Sequence, residues 1–171
     1  MAMVGLFWIT EDSVYVGAEP EGSTSGVRLT KDGVELLGRE QAGFWSWGEV
    51  HGIEVADVTV RRTVRRHASI AFDVVSAMLG QDPEQPPFFT VRVTTGDGTV
   101  GTSPFAAITG GIYGPTEYEL SLTLLRRLVD GGGTGLDDLL TWRRDHGTAA
   151  TPGREERELL LLKWAGGRGP R

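Results

Sequence analysis

Hydrophobic residues in the first part of this chain alternate with polar ones, and in the last part they recur every three to four positions, so strands precede helices. From Leu6 to Ile9 and from Val14 to Val16 the residues are apolar and β-branched or aromatic. Thr10, Glu11, Asp12 and Ser13 lie between them, which suits a short hairpin whose first strand falls within Met1 to Thr10. Val27 and Leu29 alternate with Arg28 and Thr30, Asp32-Gly33 supplies a turn, and Val34 and Leu36 alternate with Glu35. That is the two-residue period of a sheet with one wet face. Ile53 to Val60 alternates Ile53, Val55, Val58 and Val60 with Glu54 and Thr59. Phe89, Val91 and Val93 alternate with Thr90, Arg92 and Thr94 before Gly96-Asp97-Gly98 turns into Thr99 to Thr102. About seven short strands result.

Between the third and last strand groups the period changes. Val64, Ala68, Ala71, Phe72, Val75, Met78 and Leu79 share one helical face, and Gly80 ends this amphipathic stretch ahead of a polar, proline-bearing connector, Gln81 to Pro87. After the last hairpin, Thr116 is followed three residues later by Glu119, with Pro115 in front, the signature of a capping box. The helix it starts runs to Val129 with Tyr118, Leu122, Leu125, Leu128 and Val129 on one face, and Gly131-Gly132-Gly133 stops it. A shorter helix, Leu136 to Asp145, carries Leu139, Leu140 and Trp142 and closes at Gly147. Gly147 to Gly153 reads as a linker, Arg154 to Ala165 as a last helix, and the Gly-Gly-Arg-Gly-Pro-Arg end as an unstructured tail.

This order predicts an α+β fold, an antiparallel β-sandwich or partly open barrel of about seven strands closed by a C-terminal helix, with an inserted helix at 64–79 and extra C-terminal helices. Three segments carry a resemblance: Val27-Arg-Leu-Thr-Lys-Asp-Gly-Val-Glu-Leu-Leu37, Phe44-Trp-Ser-Trp-Gly-Glu-Val-His-Gly-Ile-Glu-Val55, and Phe89-Thr-Val-Arg-Val-Thr-Thr-Gly-Asp-Gly98 ahead of an amphipathic helix. Over roughly residues 4 to 130 the chain resembles bacterial pleckstrin-homology-like (PH-like) and GRAM-like domains. The likeness lies in the hydrophobic pattern more than in identities. It implies a PH-like β domain over 1–130 and a helical extension with a basic tail over 131–171. Lipid-binding members of that family place Lys and Arg in the loop joining the first two strands. Here that loop is Thr10-Glu11-Asp12-Ser13, which repels a phosphoinositide headgroup.

Composition narrows the chemistry. The chain has 171 residues with no cysteine, so disulfides, thiolate metal sites and cysteine nucleophiles are excluded, and the cytoplasm is the expected compartment. Fifteen Arg against two Lys, with no Asn, is the usage of a GC-rich genome, so the 25 Gly are weak structural evidence. The apolar N-terminus meets Glu11 and Asp12 at once and has no basic flank, unlike a signal peptide. The net charge of -6 divides into 10 basic and 19 acidic side chains over residues 1–142, and 7 and 4 over 143–171, so the body is at -9 and the tail at +3. An acidic body argues against nucleic acid or anionic lipid as the main partner.

Arg61, Arg62, Arg65, Arg66 and His67 form the densest basic patch of the body. They either bind a phosphate or an acidic partner through bidentate contacts, or pair with the chain's own carboxylates. Gly96-Asp97-Gly98-Thr99-Val100-Gly101 spells the dinucleotide fingerprint but lies between two strands, so it reads as a hairpin turn. The run Gly131 to Gly135 has no following Lys-Ser/Thr and reads as a helix terminator. His51, His67 and His146 lie in separate segments without metal-ligand spacing. Trp45 and Trp47, two apart beside Phe44, are expected on one face of a strand, either as core or as an aromatic platform. In the last helix Leu159, Leu160, Leu161, Leu162 and Trp164 follow a charged turn. Such a short helix has to dock on its own body, a second copy or another protein.

These readings converge on a non-enzymatic interaction module without catalytic residues, metal or cofactor, which takes a protein partner or a second copy through its C-terminal helix. Nucleic acid is not expected, and membrane contact would be peripheral at most. On this reading, deleting residues 148–171 leaves the body folded. The alternatives are a small-ligand-binding or hydrolytic enzyme on a β-sandwich, and a peripheral membrane or nucleic-acid binder using Arg61 to His67.

Overall fold

A computed structural model of the chain describes residues 2–39, 42–60, 88–108, 112–147 and 151–166. Six antiparallel strands come first: β1 (Ala2–Val4), β2 (Phe7–Ile9), β3 (Val14–Val16), β4 (Gly26–Leu29), β5 (Gly33–Leu37) and β6 (Gly43–Ser46), paired in chain order. The register explains the alternation in the sequence. Phe7, Val16, Val27 and Leu36 lie opposite one another, as do Ile9, Val14, Leu29, Val34 and Trp45, and these two rows face the core. Trp8, Tyr15, Arg28, Glu35 and Phe44 form the row on the opposite face. There Glu35 accepts from Arg28 Nε at 2.7 Å and raises the guanidinium pKa further.

A second sheet has the order β10-β9-β7, with β7 (Val50–Ala56), β9 (Thr90–Thr95) and β10 (Gly98–Thr102) all antiparallel. Residues 61–87, with the Arg61, Arg62, Arg65, Arg66 and His67 patch and the 64–79 helix expected from sequence, lie outside the described residues. The single strand expected over Ile53 to Val60 is two. Asp57 has φ 62 and breaks it, its carboxylate accepting from Thr90 Oγ1 at 2.8 Å. Beyond the break, β8 (Thr59–Val60) pairs with β11 (Ile112–Tyr113), and that pair is parallel, an exception in an otherwise antiparallel fold. The described strands number eleven instead of seven and close no barrel.

Helix α1 spans Pro115–Asp130, α2 Leu136–Asp145 and α3 Arg154–Trp164. No capping box starts α1. The N-cap is Gly114, Pro115 sits at the first helical position with its preset φ, and Thr116 is already inside the helix without a capping bond. The buried face is also rotated from the expected one. Glu117, Ser121, Leu124, Leu125 and Leu128 point inward, while Tyr118, Leu122 and Val129 are half-buried.

One hydrophobic core runs through both parts that the sequence separated at residue 130. Leu136 and Leu139 of α2, and Leu161 and Trp164 of α3, belong to the same buried cluster as Phe7, Val34, Val93 and Leu128. Helix α3 lies against α1 and β1, and α2 against β2 and β3. Trp164 meets Trp142 edge to face with ring centroids 5.7 Å apart, and Trp142 stacks on His146 at 5.0 Å. The docking helix expected to reach a partner is therefore seated on its own body. Within it, Leu161 and Trp164 are buried, Leu160 and Leu162 half-buried, and Leu159 exposed.

Candidate interaction surface

The most developed polar constellation belongs to that seat. Glu117 falls in the first turn of α1, where a carboxylate complements the helix dipole, yet its side chain is only 2% exposed. Its Oε1 accepts from Arg157 Nη2 at 2.6 Å and Nε at 3.1 Å, while Arg157 Nη1 donates to the Pro152 carbonyl at 2.8 Å. One turn on, Ser121 Oγ donates to the Glu117 carbonyl at 2.6 Å and accepts from Leu6 N–H at 3.1 Å. Gly5 makes this approach possible. It holds φ +58 in the β1–β2 turn, and a Cβ there would run into Ser121 Oγ and Leu161. Every group named here except Glu117 Oε2, which has no hydrogen-bond partner, is spent on holding α3 and β1 to α1. The constellation is a clamp.

Tyr113, next to it on β11, is fully buried and accepts from Ala107 N–H at 3.0 Å. Burial pushes its phenol up to about 12, only partly offset by hydrogen bonds from the Ala107 and Ile108 backbone. A tyrosine whose folded pKa lies above its ordinary 10 contributes stability in full below pH 10, and loses it as pH rises from 10 toward 12. Tyr113→Phe is expected to flatten that alkaline slope in urea titrations, and to cost about 1 kcal/mol at neutral pH for the unpaired Ala107 N–H. An unchanged slope would contradict the assignment.

The aromatic residues separate. Strand β6 ends at Ser46, so Trp47 is not a strand neighbour of Trp45 but sits in the following turn, with Nε1 donating to the Thr30 carbonyl at 2.8 Å. Its indole lies so close to Gly133 that a Cβ there would clash, which ties the glycine run after α1 to the β6–β7 turn. Trp45 packs against the core, and only Phe44 stands out, 53% exposed. These three are not a platform. Gly96-Asp97-Gly98 is a hairpin turn joining β9 to β10, as expected. His51 and His146 are exposed and far apart in the chain, and no group of three metal-ligating side chains exists among the described residues.

Two depressions are lined by described residues. A shallow one of about 550 Å³ between the end of α1 and the end of α3 is lined by Thr123, Arg126, Arg127, Asp130, Gly131 and Ala165. Arg127 sits in the last turn of α1, where a cation complements the carbonyl end of the helix. The other is a slot of about 10 Å³ among Asp57, Val58, Thr59, Phe88, Phe89, Ala106 and Tyr113, barely the space of one water. Phe88, which lines that slot, is 63% exposed, and Ile112, the chain neighbour of its Tyr113, is 46% exposed. Phe88 forms an isolated bridge to Phe105, and Ile112 pairs with Thr59. Two exposed large apolar side chains next to a closed slot offer apolar surface rather than a cavity.

Sequence reasoning did not single out Phe88 or Ile112. Phe88 directly precedes the alternating run from Phe89 and Ile112 follows Gly110-Gly111, so neither stands apart in the hydrophobic pattern. No helix is long and apolar enough to cross a membrane among the described residues. No family model, curated protein or solved structure matches this chain.

Proposed function

We propose that this chain is a non-enzymatic protein-docking module on a PH-like plan, acting in the cytoplasm and meeting its partner with the apolar surface around Phe88 and Ile112. The observation that carries the reading is the exposure of Phe88, which lines a slot too small for a metabolite, and of Ile112, the chain neighbour of its Tyr113. Large apolar side chains left in water are characteristic of surfaces that another protein covers. The order of two antiparallel strand groups followed by a helix supports the PH-like plan, and the thiol-free composition supports the compartment. The β2–β3 loop carries exposed Glu11 and Asp12, which favours a protein partner over an anionic lipid.

Replacing Phe88 and Ile112 together by serine is expected to abolish partner capture in affinity purification from the native cell. The melting temperature should stay within a few degrees, since surface changes cost about 0.5 kcal/mol or less. An unchanged partner set in the double variant would overturn the proposal.

A further inference from the structure

Among the described residues, side chains or a helix stand at the outer side of β1, at one end of β6 and against β7. On β1, Met3 N–H donates to Thr151 Oγ1 at 3.2 Å and α3 lies alongside. On β6, Ser46 N–H donates to Glu49 Oε2 at 2.8 Å, and the Ser46 donors hold that carboxyl below its usual range. Against β7 lies α1. On the outer side of β10 no hydrogen bond from any described residue is made. That strand, Gly98-Thr-Val-Gly-Thr102, has no charge, no proline and no bulge, the devices by which sheets normally protect an edge.

Its register shows which groups face outward. Gly96-Asp97 is a two-residue turn, so Thr95 and Gly98 are a hydrogen-bonded pair, and bonded pairs then alternate. Val100 and Thr102 bond to β9, whereas Thr99 and Gly101 turn their N–H and C=O away from it. The Thr94 and Thr99 hydroxyls, 3.4 Å apart, match the closer side-chain approach of a non-bonded pair.

We infer that β10 pairs antiparallel with β10 of a second copy, about a two-fold axis through Val100. In that register Thr99 of one copy faces Gly101 of the other, and each of the two such pairs exchanges two main-chain hydrogen bonds. The outward groups are symmetric about Val100, no like charges meet, and the missing side chain of Gly101 leaves room for the opposing Thr99. Two three-stranded sheets become one of six. The contact is smaller than a standard interface of roughly 1,200–2,000 Å², so the dimer is weak and depends on concentration. This association uses a surface separate from Phe88 and Ile112.

The test is sedimentation velocity of the full chain from about 10 μM to about 1 mM, with amide exchange read at the same concentrations. The expected result is a monomer–dimer shift in which the Thr99 and Gly101 amides slow about tenfold at the high end while Val100 does not change. Gly101→Pro, which deletes an outward N–H that β9 does not use, should return the chain to monomer. Thr99→Lys, which puts a charge on the edge without touching the backbone, should do the same. Phe88→Ser/Ile112→Ser should still dimerise, so loss of partner capture and loss of self-pairing are distinguishable. A chain that stays monomeric at the highest concentration, or dimerises equally in both edge variants, overturns the inference. So does protection confined to residues outside β10.

Discussion

Glu117→Leu is expected to destabilise the fold by about 3 to 5 kcal/mol, the cost of leaving a buried charge without its partner. The orphan would be Arg157, whose side chain is 14% exposed and whose Nε and Nη2 both donate to Glu117 Oε1. Arg157→Leu should cost a similar amount, because it strands a carboxylate that already has one unpartnered oxygen. The double variant Glu117→Leu/Arg157→Leu removes both charges together and should recover most of the loss, since apolar pairs often replace buried ion pairs at little cost. Urea unfolding of the three variants measures this. Additive losses in the double variant would mean that the two side chains act independently, contrary to the clamp.

Removing α3 has a larger expected effect. A chain ending at residue 150 loses the burial of Leu161 and Trp164, about 1.5 to 3 kcal/mol each, and leaves Glu117 unpaired beneath water. Together these losses exceed about 5 kcal/mol, against a total stability of about 5 to 15 kcal/mol for a typical domain. The truncated chain should therefore unfold at a much lower urea concentration and lose its near-ultraviolet tryptophan dichroism at physiological temperature. This reverses the expectation from the sequence, in which the glycine-rich stretch before Arg154 reads as a tether and the body as self-sufficient. A truncated chain with an unchanged midpoint would restore that expectation.

The reason lies in what periodicity can carry. Hairpins such as Val27/Leu29 against Val34/Leu36, and the bounds of α2, are legible because each depends on neighbours within a few positions. The break at Asp57 is not legible in the same way: Ile53 to Val60 reads as one alternating strand, and only the φ of 62 at Asp57 divides it. The inward face of α1 is not legible. Counting apolar residues puts Tyr118 and Leu122 inside and Glu117 outside, and only an arginine 40 positions away, with Leu6 N–H on Ser121, makes a polar face worth burying. Trp47 is similar: its position two after Trp45 suggests the same strand, but its partners are Thr30 and Gly133. For the candidate surfaces, the β9–β10 hairpin was readable while the outer side of β10, to which no described residue bonds, was not, because an edge depends on residues far away in the chain. Phe88 and Ile112 are ordinary apolar letters until their exposure is known.

The meeting of β1 with α3 has a consequence for synthesis. Met3 bonds to Thr151, 148 positions later, and Gly5 lies under Leu161, so the β1 strand waits for residues made long after it. Arg154–Trp164 must leave the ribosome before this closure can form, and until then the strand bearing Ala2–Val4 keeps an open edge. Nascent chains stalled ahead of residue 154 should accordingly attract holding chaperones, and those released past Trp164 should not.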